Sequence, residues 1–233
     1  MYKLNKSISA LGLALGLANA KELQGFYIGA DIGYNYSNAD LTLNDGPNTN
    51  LRFKTRNHFA QPSLGLSIGY GHLLENSTMV GLEILGDYHL GKKKEIADSS
   101  MDKMAAKVKA GRKGVGVGIL VKVGAKISQS TALYAGIGFK SLKHTFIYQD
   151  AHEPTKYKFG KRRISPMAQV GFQRLLGNSK QWGWGASYSY VLGKKFTKTG
   201  LPHSKYTFMG DLDATISAKS SEHSVKVGTF YRF

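Results

Sequence analysis

Along most of this chain, apolar side chains alternate with small or polar ones, and this alternation limits the possible folds more than any other feature. In residues 25–36, for example, Phe26, Ile28 and Ile32 share one face, whereas Asp31 falls on the other. A period of two residues is that of a β-strand, in which successive side chains point to opposite sides of the sheet. The pattern predicts eight strands, at residues 25–36, 63–71, 80–89, 114–124, 133–140, 164–173, 182–190 and 224–233.

The connections between these strands alternate between short and long. The short ones are Leu74–Ser77, Ser128–Ser130 and Gly177–Gln181. The long ones are Ser37–His58, Gly91–Lys113, His144–Arg163 and Lys194–Glu222. Bacterial outer-membrane barrels combine an even number of tilted antiparallel strands with short periplasmic turns and long extracellular loops. The sequence therefore predicts an all-β fold, an eight-stranded antiparallel transmembrane β-barrel.

A soluble barrel would show the same alternation, but the chemistry of the two faces favours the membrane. One face is almost free of charge, and the other holds mainly glycine, serine and charged side chains. A soluble barrel needs large apolar residues inside, and this second face is too small and too polar to supply them. The uncharged face is therefore expected to contact lipid.

The first twenty residues resemble an export signal. Lys3 and Lys6 make the start basic, residues 8–17 are apolar, and Ala18-Asn19-Ala20 matches a small-x-small cleavage site. We expect residues 1–20 to be a signal peptide and residues 21–233 to form the barrel. The chain has a formal net charge of +17 and no cysteine, which excludes disulfides. Export argues against nucleic acid as the partner of this positive charge.

Two local features affect the predicted loops. Pro62 and Pro166 cannot donate hydrogen bonds to a sheet, so each is expected near the loop end of its strand. In the second long loop, Met101, Met104 and Val108 are spaced for a short amphipathic helix. An irregular loop is an equally good interpretation of that segment.

The two ends of the predicted barrel resemble a known family. The segments 26–34 (FYIGADIGY) and 223–233 (HSVKVGTFYRF) are similar to those of the small outer-membrane β-barrels, which include the transmembrane domain of OmpA, OmpX and the opacity proteins. The resemblance implies the outer membrane of a Gram-negative bacterium and assembly by the barrel-assembly machinery. Tyr231 and Phe233 would carry the assembly signal. We expect a monomer.

No motif for catalysis, for a cofactor or for a metal stands out. The run from Gly86 to Lys93 resembles a phosphate-binding loop but ends in lysine where serine or threonine would hold magnesium. Some eight-stranded outer-membrane barrels are lipid A-modifying enzymes that use His and Ser. Here His203-Ser204 and His223-Ser224 are adjacent pairs, which point to opposite faces of a strand. We predict no enzymatic activity, no cofactor and no metal, with a lipid A-modifying enzyme as the less favoured alternative.

Four charged residues are predicted to face the lumen and to form two ion pairs. Glu83 and Lys122 lie at similar distances from the periplasmic turns of neighbouring strands, and so do Asp31 and Lys226 once the sheet closes. An eight-stranded barrel leaves room only for side chains, so the pairs would fill the lumen. The alternative is that they line a narrow, porin-like ion channel.

Cations gather where strands enter the long loops. They are Lys92, Lys93, Lys94, Arg112, Lys113, Lys161, Arg162, Arg163, Lys194 and Lys195. A ring of cations at the outer rim would lie level with lipopolysaccharide phosphates and could make charge-assisted hydrogen bonds with them. The sequence thus predicts a structural, adhesin-like surface protein that contacts lipopolysaccharide and, through the same patch, acidic host glycans or matrix. The alternative is a set of solvated charges.

Overall fold

In the computed structural model, the described residues are 23–45, 52–75, 77–91, 94–98, 106–112, 114–150, 156–177, 181–201 and 214–233. Within these ranges the secondary structure consists of eleven β-strands. They are β1 (Gly25–Asp45), β2 (Arg52–Leu73), β3 (Thr78–His89), β4 (Lys94–Asp98), β5 (Ala106–Arg112), β6 (Gly114–Lys126), β7 (Thr131–Asp150), β8 (Lys156–Leu175), β9 (Trp182–Val191), β10 (Lys195–Leu201) and β11 (Ala214–Arg232). The same ranges contain no helix that is long and apolar enough to cross a membrane. The predicted signal peptide, residues 1–20, lies outside them.

Eight of the strands form a closed ring of antiparallel pairs. The order is β1, β2, β3, β6, β7, β8, β9 and β11, and β11 returns to pair with β1. Closure leaves no open sheet edge within the hydrocarbon, where unpaired backbone groups would each cost several kcal/mol. The predicted fold class, an eight-stranded antiparallel barrel, is confirmed.

The predicted short turns lie together at one end of the barrel. In the first, the Ser77 amide donates to the Leu74 carbonyl at 3.0 Å, and Ser77 takes a φ of 65°. In the third, Gly177 has a φ of 67°, which glycine adopts without strain. The Phe233 amide donates to Phe26 at the same end, which we take as the periplasmic end.

Large apolar side chains cover the outside of the barrel. Leu66 is 69% exposed and Ile137 is 73% exposed. Aromatic rings mark the periplasmic end of this apolar belt, where Phe26 and Tyr70 lie 4.8 Å apart between ring centroids. At the other end, His58 stacks on Tyr36. An apolar band between two aromatic girdles is the surface of a membrane barrel.

The prediction of four long loops was wrong over much of its extent. β1 and β2 continue as a hairpin to Asp45 and Arg52, and β7 and β8 continue to Asp150 and Lys156. Above the membrane both faces of a strand meet polar surroundings, so the apolar alternation ends although the backbone ladder continues. The sequence pattern therefore reports the membrane-crossing part of each strand and misses the remainder.

The helix considered for the second loop is also wrong where the structure describes that segment. Residues 106–112 form β5, which pairs with β4 on one side and with β7 on the other. Val108 and Ala110 alternate with Lys107 and Lys109, so the period of two holds here as well. Residues 101–105 lie outside the described residues.

Two prolines lie where the barrel wall divides. The Leu90 amide donates to the Pro62 carbonyl, and the Leu192 amide donates to the Pro166 carbonyl. These are the last bonds of the β2–β3 and β8–β9 ladders, whose final paired positions are Ser63 with His89 and Met167 with Val191. Beyond them the pairing order gives two four-stranded sheets, β2–β1–β11–β10 and β4–β5–β7–β8, which share no ladder within the described ranges.

The lumen contains more apolar packing than the sequence suggested. One cluster of buried side chains consists of Leu85, Leu120, Leu142, Met167 and Val191. A second cluster, near the periplasmic turns, consists of Leu23, Met79, Ala132 and Leu175. Several of these residues fall within continuous apolar runs such as Ile119–Val121, where alternation does not show which side chain points inward.

Replacement of a lumen leucine should destabilise the barrel more than replacement of a leucine that faces lipid. Leu120 is fully buried, so Leu120→Ala leaves a cavity and should cost about 2–5 kcal/mol. Leu82 faces outward, and lipid chains can fill the space that Leu82→Ala leaves. Urea unfolding of the two variants in phospholipid vesicles measures the difference. Equal losses would show that Leu120 is not packed in the lumen.

Candidate functional site

Glu83 and Lys122 meet inside the barrel. Lys122 is directly opposite Gly81 on β3, which makes Glu83 its diagonal neighbour on the same face. The Lys122 Nζ atom lies 2.6 Å from Oε2 of Glu83, and the Tyr27 hydroxyl donates to the same oxygen at 2.6 Å. Lys122 Nζ is also 3.3 Å from the Tyr27 hydroxyl oxygen. The three side chains form one hydrogen-bonded group.

The second predicted pair also comes together. Asp31 is opposite Gly228 and Lys226 is opposite Gly33, so the two charges are diagonal neighbours on β1 and β11. The Lys226 Nζ atom is 3.2 Å from Oδ1 of Asp31. Lys226 also donates to Asp87 on β3, which lies across the lumen. The pair is therefore one part of a larger cluster.

Asp87, Lys140 and Glu222 complete this cluster, and the sequence analysis did not identify them as partners. Lys140 Nζ lies 2.5 Å from Asp87 and 3.0 Å from Glu222. We call the resulting series the ion network; its members are Glu222, Lys140, Asp87, Lys226 and Asp31. Alternation alone puts Asp87 and Lys140 on the inward face. Glu222 was overlooked because it fell in a segment interpreted as a loop.

The centre of the ion network is almost completely shielded from solvent, whereas Asp31 at its end keeps 19% of its side chain exposed. Side-chain exposure is 1% for Lys140 and for Asp87, and Glu222 is fully buried. An unpaired charge in such a place would cost several kcal/mol, so each member depends on the others. The arrangement holds four strands together across the lumen.

A small polar cavity lies between the ion network and the periplasmic apolar cluster. Its volume is about 90 Å³, and Glu83, Lys122, Tyr134 and Gln169 are among its lining residues. A water molecule needs roughly 10–15 Å³ of such space, so the cavity can hold several. Side chains therefore fill much of the lumen, and this cavity is a pocket that can hold water.

Arg232 fills the periplasmic end of the lumen. It is 2% exposed, and its guanidinium carbon lies 5.6 Å from the ring centroid of Tyr27 and 5.7 Å from that of Phe230. Within the described part of the chain, its guanidinium nitrogens have no hydrogen-bond partner. Ring faces attract a cation, and they are the contacts that the structure gives this charge.

The structure describes part of the predicted cationic rim. Arg162, Lys194 and Lys195 are exposed. Arg163 takes the inward position next to Arg162, is half-buried and has a buried Nε atom. The structure describes the backbone alone for Lys94, Arg112 and Lys161, and the remaining rim residues, Lys92, Lys93 and Lys113, lie outside the described ranges.

Lys143 is an exposed cation that the sequence analysis did not assign to the rim. It is directly opposite Arg162 in the β7–β8 ladder, just above the apolar belt residues Phe139 and Ile164. A loop assignment for residues 144–163 concealed this pairing, since cross-strand neighbours can be recognised only when both residues are known to be in strands.

Tyr231 and Phe233 lie at outward positions at the end of β11. Their ring centroids are 5.1 Å apart, and Trp182 lies 5.1 Å from Tyr231. The two residues therefore belong to the periplasmic aromatic girdle. Their role as an assembly signal stays a prediction.

Comparison with solved structures supports the fold. The outer-membrane protein OprG from Pseudomonas aeruginosa is 14% identical, with 92% of this chain and 99% of that chain covered and a TM-score of 0.58. The outer-membrane protease OmpT from Escherichia coli is 11% identical, with 92% and 100% covered and a TM-score of 0.48. Neisserial surface protein A is 10% identical, with 89% and 97% covered and a TM-score of 0.44. No family model and no curated protein matches the chain.

The closed ring, the apolar belt and the likeness to OprG define the class. The chain has the fold of the small outer-membrane β-barrels, as the resemblance of its two ends predicted. The fold and the lipid-facing belt indicate the outer membrane of a Gram-negative bacterium.

Glu83→Ala should destabilise the barrel by about 3–5 kcal/mol, because it leaves Lys122 buried without its carboxylate. The exchange Glu83→Lys with Lys122→Glu should restore part of the loss, since the Tyr27 hydroxyl is within reach of both positions. Urea unfolding measures the stability. Planar-bilayer recording tests conduction, and large, stable unitary currents from the wild type would show that the lumen is an ion path.

Within the ion network, Asp87→Asn should cost more than Glu222→Gln. Loss of the Asp87 charge removes two ion pairs and leaves Lys140 with Glu222 and Lys226 with Asp31, whereas loss of the Glu222 charge removes one pair. We expect a larger loss of stability for Asp87→Asn than for Glu222→Gln in the same unfolding measurement. The reverse order would contradict the central position of Asp87.

Proposed function

We propose that this protein is a structural and surface-interaction barrel whose basic extracellular rim contacts lipopolysaccharide phosphates. The observation that carries the proposal is the facing pair of Lys143 and Arg162 directly above the apolar belt. Like charges directly opposite each other destabilise a sheet, and an anion between them removes that cost. Lipid phosphates lie at this level of the membrane.

Other cations extend the same surface. Lys194 is exposed and follows the belt residue Leu192 by two positions. Lys195 is opposite Lys219 in the β10–β11 ladder, and Asp40 is opposite Lys219 on the other side. The Asp40 carboxylate offsets part of the repulsion between Lys195 and Lys219. The Lys143–Arg162 pair is therefore the stronger anion site.

The charge distribution along the chain supports an anionic partner. Every charged residue between Glu153 and Asp211 is a lysine or an arginine. Charge-assisted hydrogen bonds to phosphate are stronger than neutral ones, and arginine can make two in parallel. Acidic host glycans carry the same kind of charge and are a second use of this patch.

The proposal is for a role without catalysis. His223 faces outward, where its Nδ1 atom lies 2.6 Å from the Tyr188 hydroxyl oxygen, whereas Ser224 is buried in the lumen. The two therefore lie on opposite sides of the wall and cannot act as a base and a nucleophile. A porin is less well supported, because buried ion pairs and leucines fill the lumen.

The double variant Lys143→Gln/Arg162→Gln should weaken binding of lipopolysaccharide without unfolding the barrel. Each cation contributes about 1 kcal/mol, so the affinity should fall by about thirtyfold. Binding of purified lipopolysaccharide and of its dephosphorylated form to the detergent-solubilised protein measures this.

The matched control for Arg162→Gln is Arg174→Gln. Both arginines are exposed on β8, but Arg174 lies at the periplasmic end. Arg174→Gln should leave binding unchanged. Equal binding by wild type and double variant, or equal binding of the phosphorylated and dephosphorylated lipid, would reject a phosphate site at the rim.

A further inference from the structure

The extracellular half of β8 has an edge to which no strand within the described ranges pairs. β7 pairs with β8 along its whole length, from Arg174 to Lys156. β9 pairs with it only between Leu175 and Met167. The chain then continues from β9 into β10, which pairs with β11 and lies outside the β8 ladder. Residues 156–163, above the apolar belt, therefore form an edge strand outside the membrane.

The residues that present backbone groups along this edge follow from the ladder. In an antiparallel strand, the N–H and C=O groups of one residue point to the same neighbour, and successive residues alternate between neighbours. The Pro166 carbonyl accepts from Leu192, so Pro166 points towards β9. Lys158, Gly160 and Arg162 have the same parity, so their backbone groups point to the open side.

The bonds to β7 agree with this assignment. The Leu175 amide donates to the carbonyl of Ser130, the residue just before β7, which means that the backbone groups of the odd-numbered residues of β8 point towards β7. The open edge thus offers alternating donors and acceptors at the spacing of a strand. Another strand can use both kinds of group, whereas a phosphate can accept from the amides alone.

The positive charges beside the open edge of β8 favour a partner with acidic side chains. Lys158 and Arg162 are exposed next to it, and Lys195 and Lys198 are exposed on β10, the other strand that borders the gap. Lysines on an edge strand oppose pairing between copies of the same protein. An incoming strand with acidic side chains would be attracted instead.

We propose that the open edge of β8 binds an extended acidic peptide segment of another protein by strand addition. The backbone ladder supplies the affinity and the flanking cations supply the selectivity. This interaction shares Arg162 with the contact to lipopolysaccharide but differs from it in kind, because it requires backbone groups that a lipid cannot pair.

The first test compares two labelled peptides of about ten residues that alternate glutamate and threonine. One is unmodified, and the other carries N-methyl groups on alternate amides, which removes the donors but keeps the charge. The probe is added to the full chain in detergent micelles free of lipopolysaccharide, and binding is followed by fluorescence anisotropy. The unmodified peptide should bind at least about tenfold more tightly, the factor expected when edge hydrogen bonds are lost.

The second test uses Gly160→Pro with Gly160→Ala as its control. Proline removes an N–H group that points to the open side and leaves the bonds to β7 intact, since edge strands tolerate proline in this orientation. Gly160→Pro should weaken peptide binding by about tenfold, and Gly160→Ala should leave it unchanged. Heat-modifiable gel migration checks that both variants fold.

Equal binding of the two peptides, or full binding by folded Gly160→Pro, would show attraction by charge alone and overturn the proposal. Absence of binding by the wild type would overturn it as well.

Discussion

The structure depends on one constraint: within a bilayer every backbone N–H and C=O group must be paired inside the protein. The chain meets it by joining β11 to β1, so that the ladder has no end within the hydrocarbon. Closure with eight strands also decides the interior, because a ring of this size leaves space only for side chains. The inward residues must therefore pack against one another and neutralise one another.

The ion network shows how closely the interior and the wall are linked. Lys226 reaches Asp31 on the neighbouring strand and Asp87 across the lumen. A shift of β11 by one residue would move Lys226 into lipid and bring Val225 or Val227 into the lumen. Buried ion pairs add little stability compared with apolar packing, and the better attested role of such groups is to specify one register.

Contacts between neighbouring strands could be predicted from the sequence, and contacts across the lumen could not. Glu83 and Lys122 could be paired because both lie a few residues from the same periplasmic end of adjacent strands. Lys140 with Glu222, and Asp87 with Lys226, required the tilt and curvature of the barrel, which no local pattern contains. Leu120 was missed for a different reason, since both its neighbours are also apolar.

The ends of the predicted strands also depend on what apolar alternation can report. Alternation marked Phe26, Ile28 and Ile32 because lipid and lumen differ in polarity, and that difference ends at the membrane surface. The sequence accordingly placed the periplasmic turns well and shortened the strands at the extracellular end. Lys143 and Arg162 could be recognised as a pair only after β7 and β8 were known to continue past the belt.

Pro62 and Pro166 have a consequence for how such a protein can change. They end two ladders at the outer surface, so in the described part of the chain the two extracellular sheets share no backbone ladder beyond these positions, although β2 and β4 lie close together. Insertions, deletions or exchanged hairpins in one sheet leave the shear of the membrane ring and the contacts of its lumen as they are. The part of the molecule that faces the surroundings can thus change while the part that faces lipid keeps its geometry.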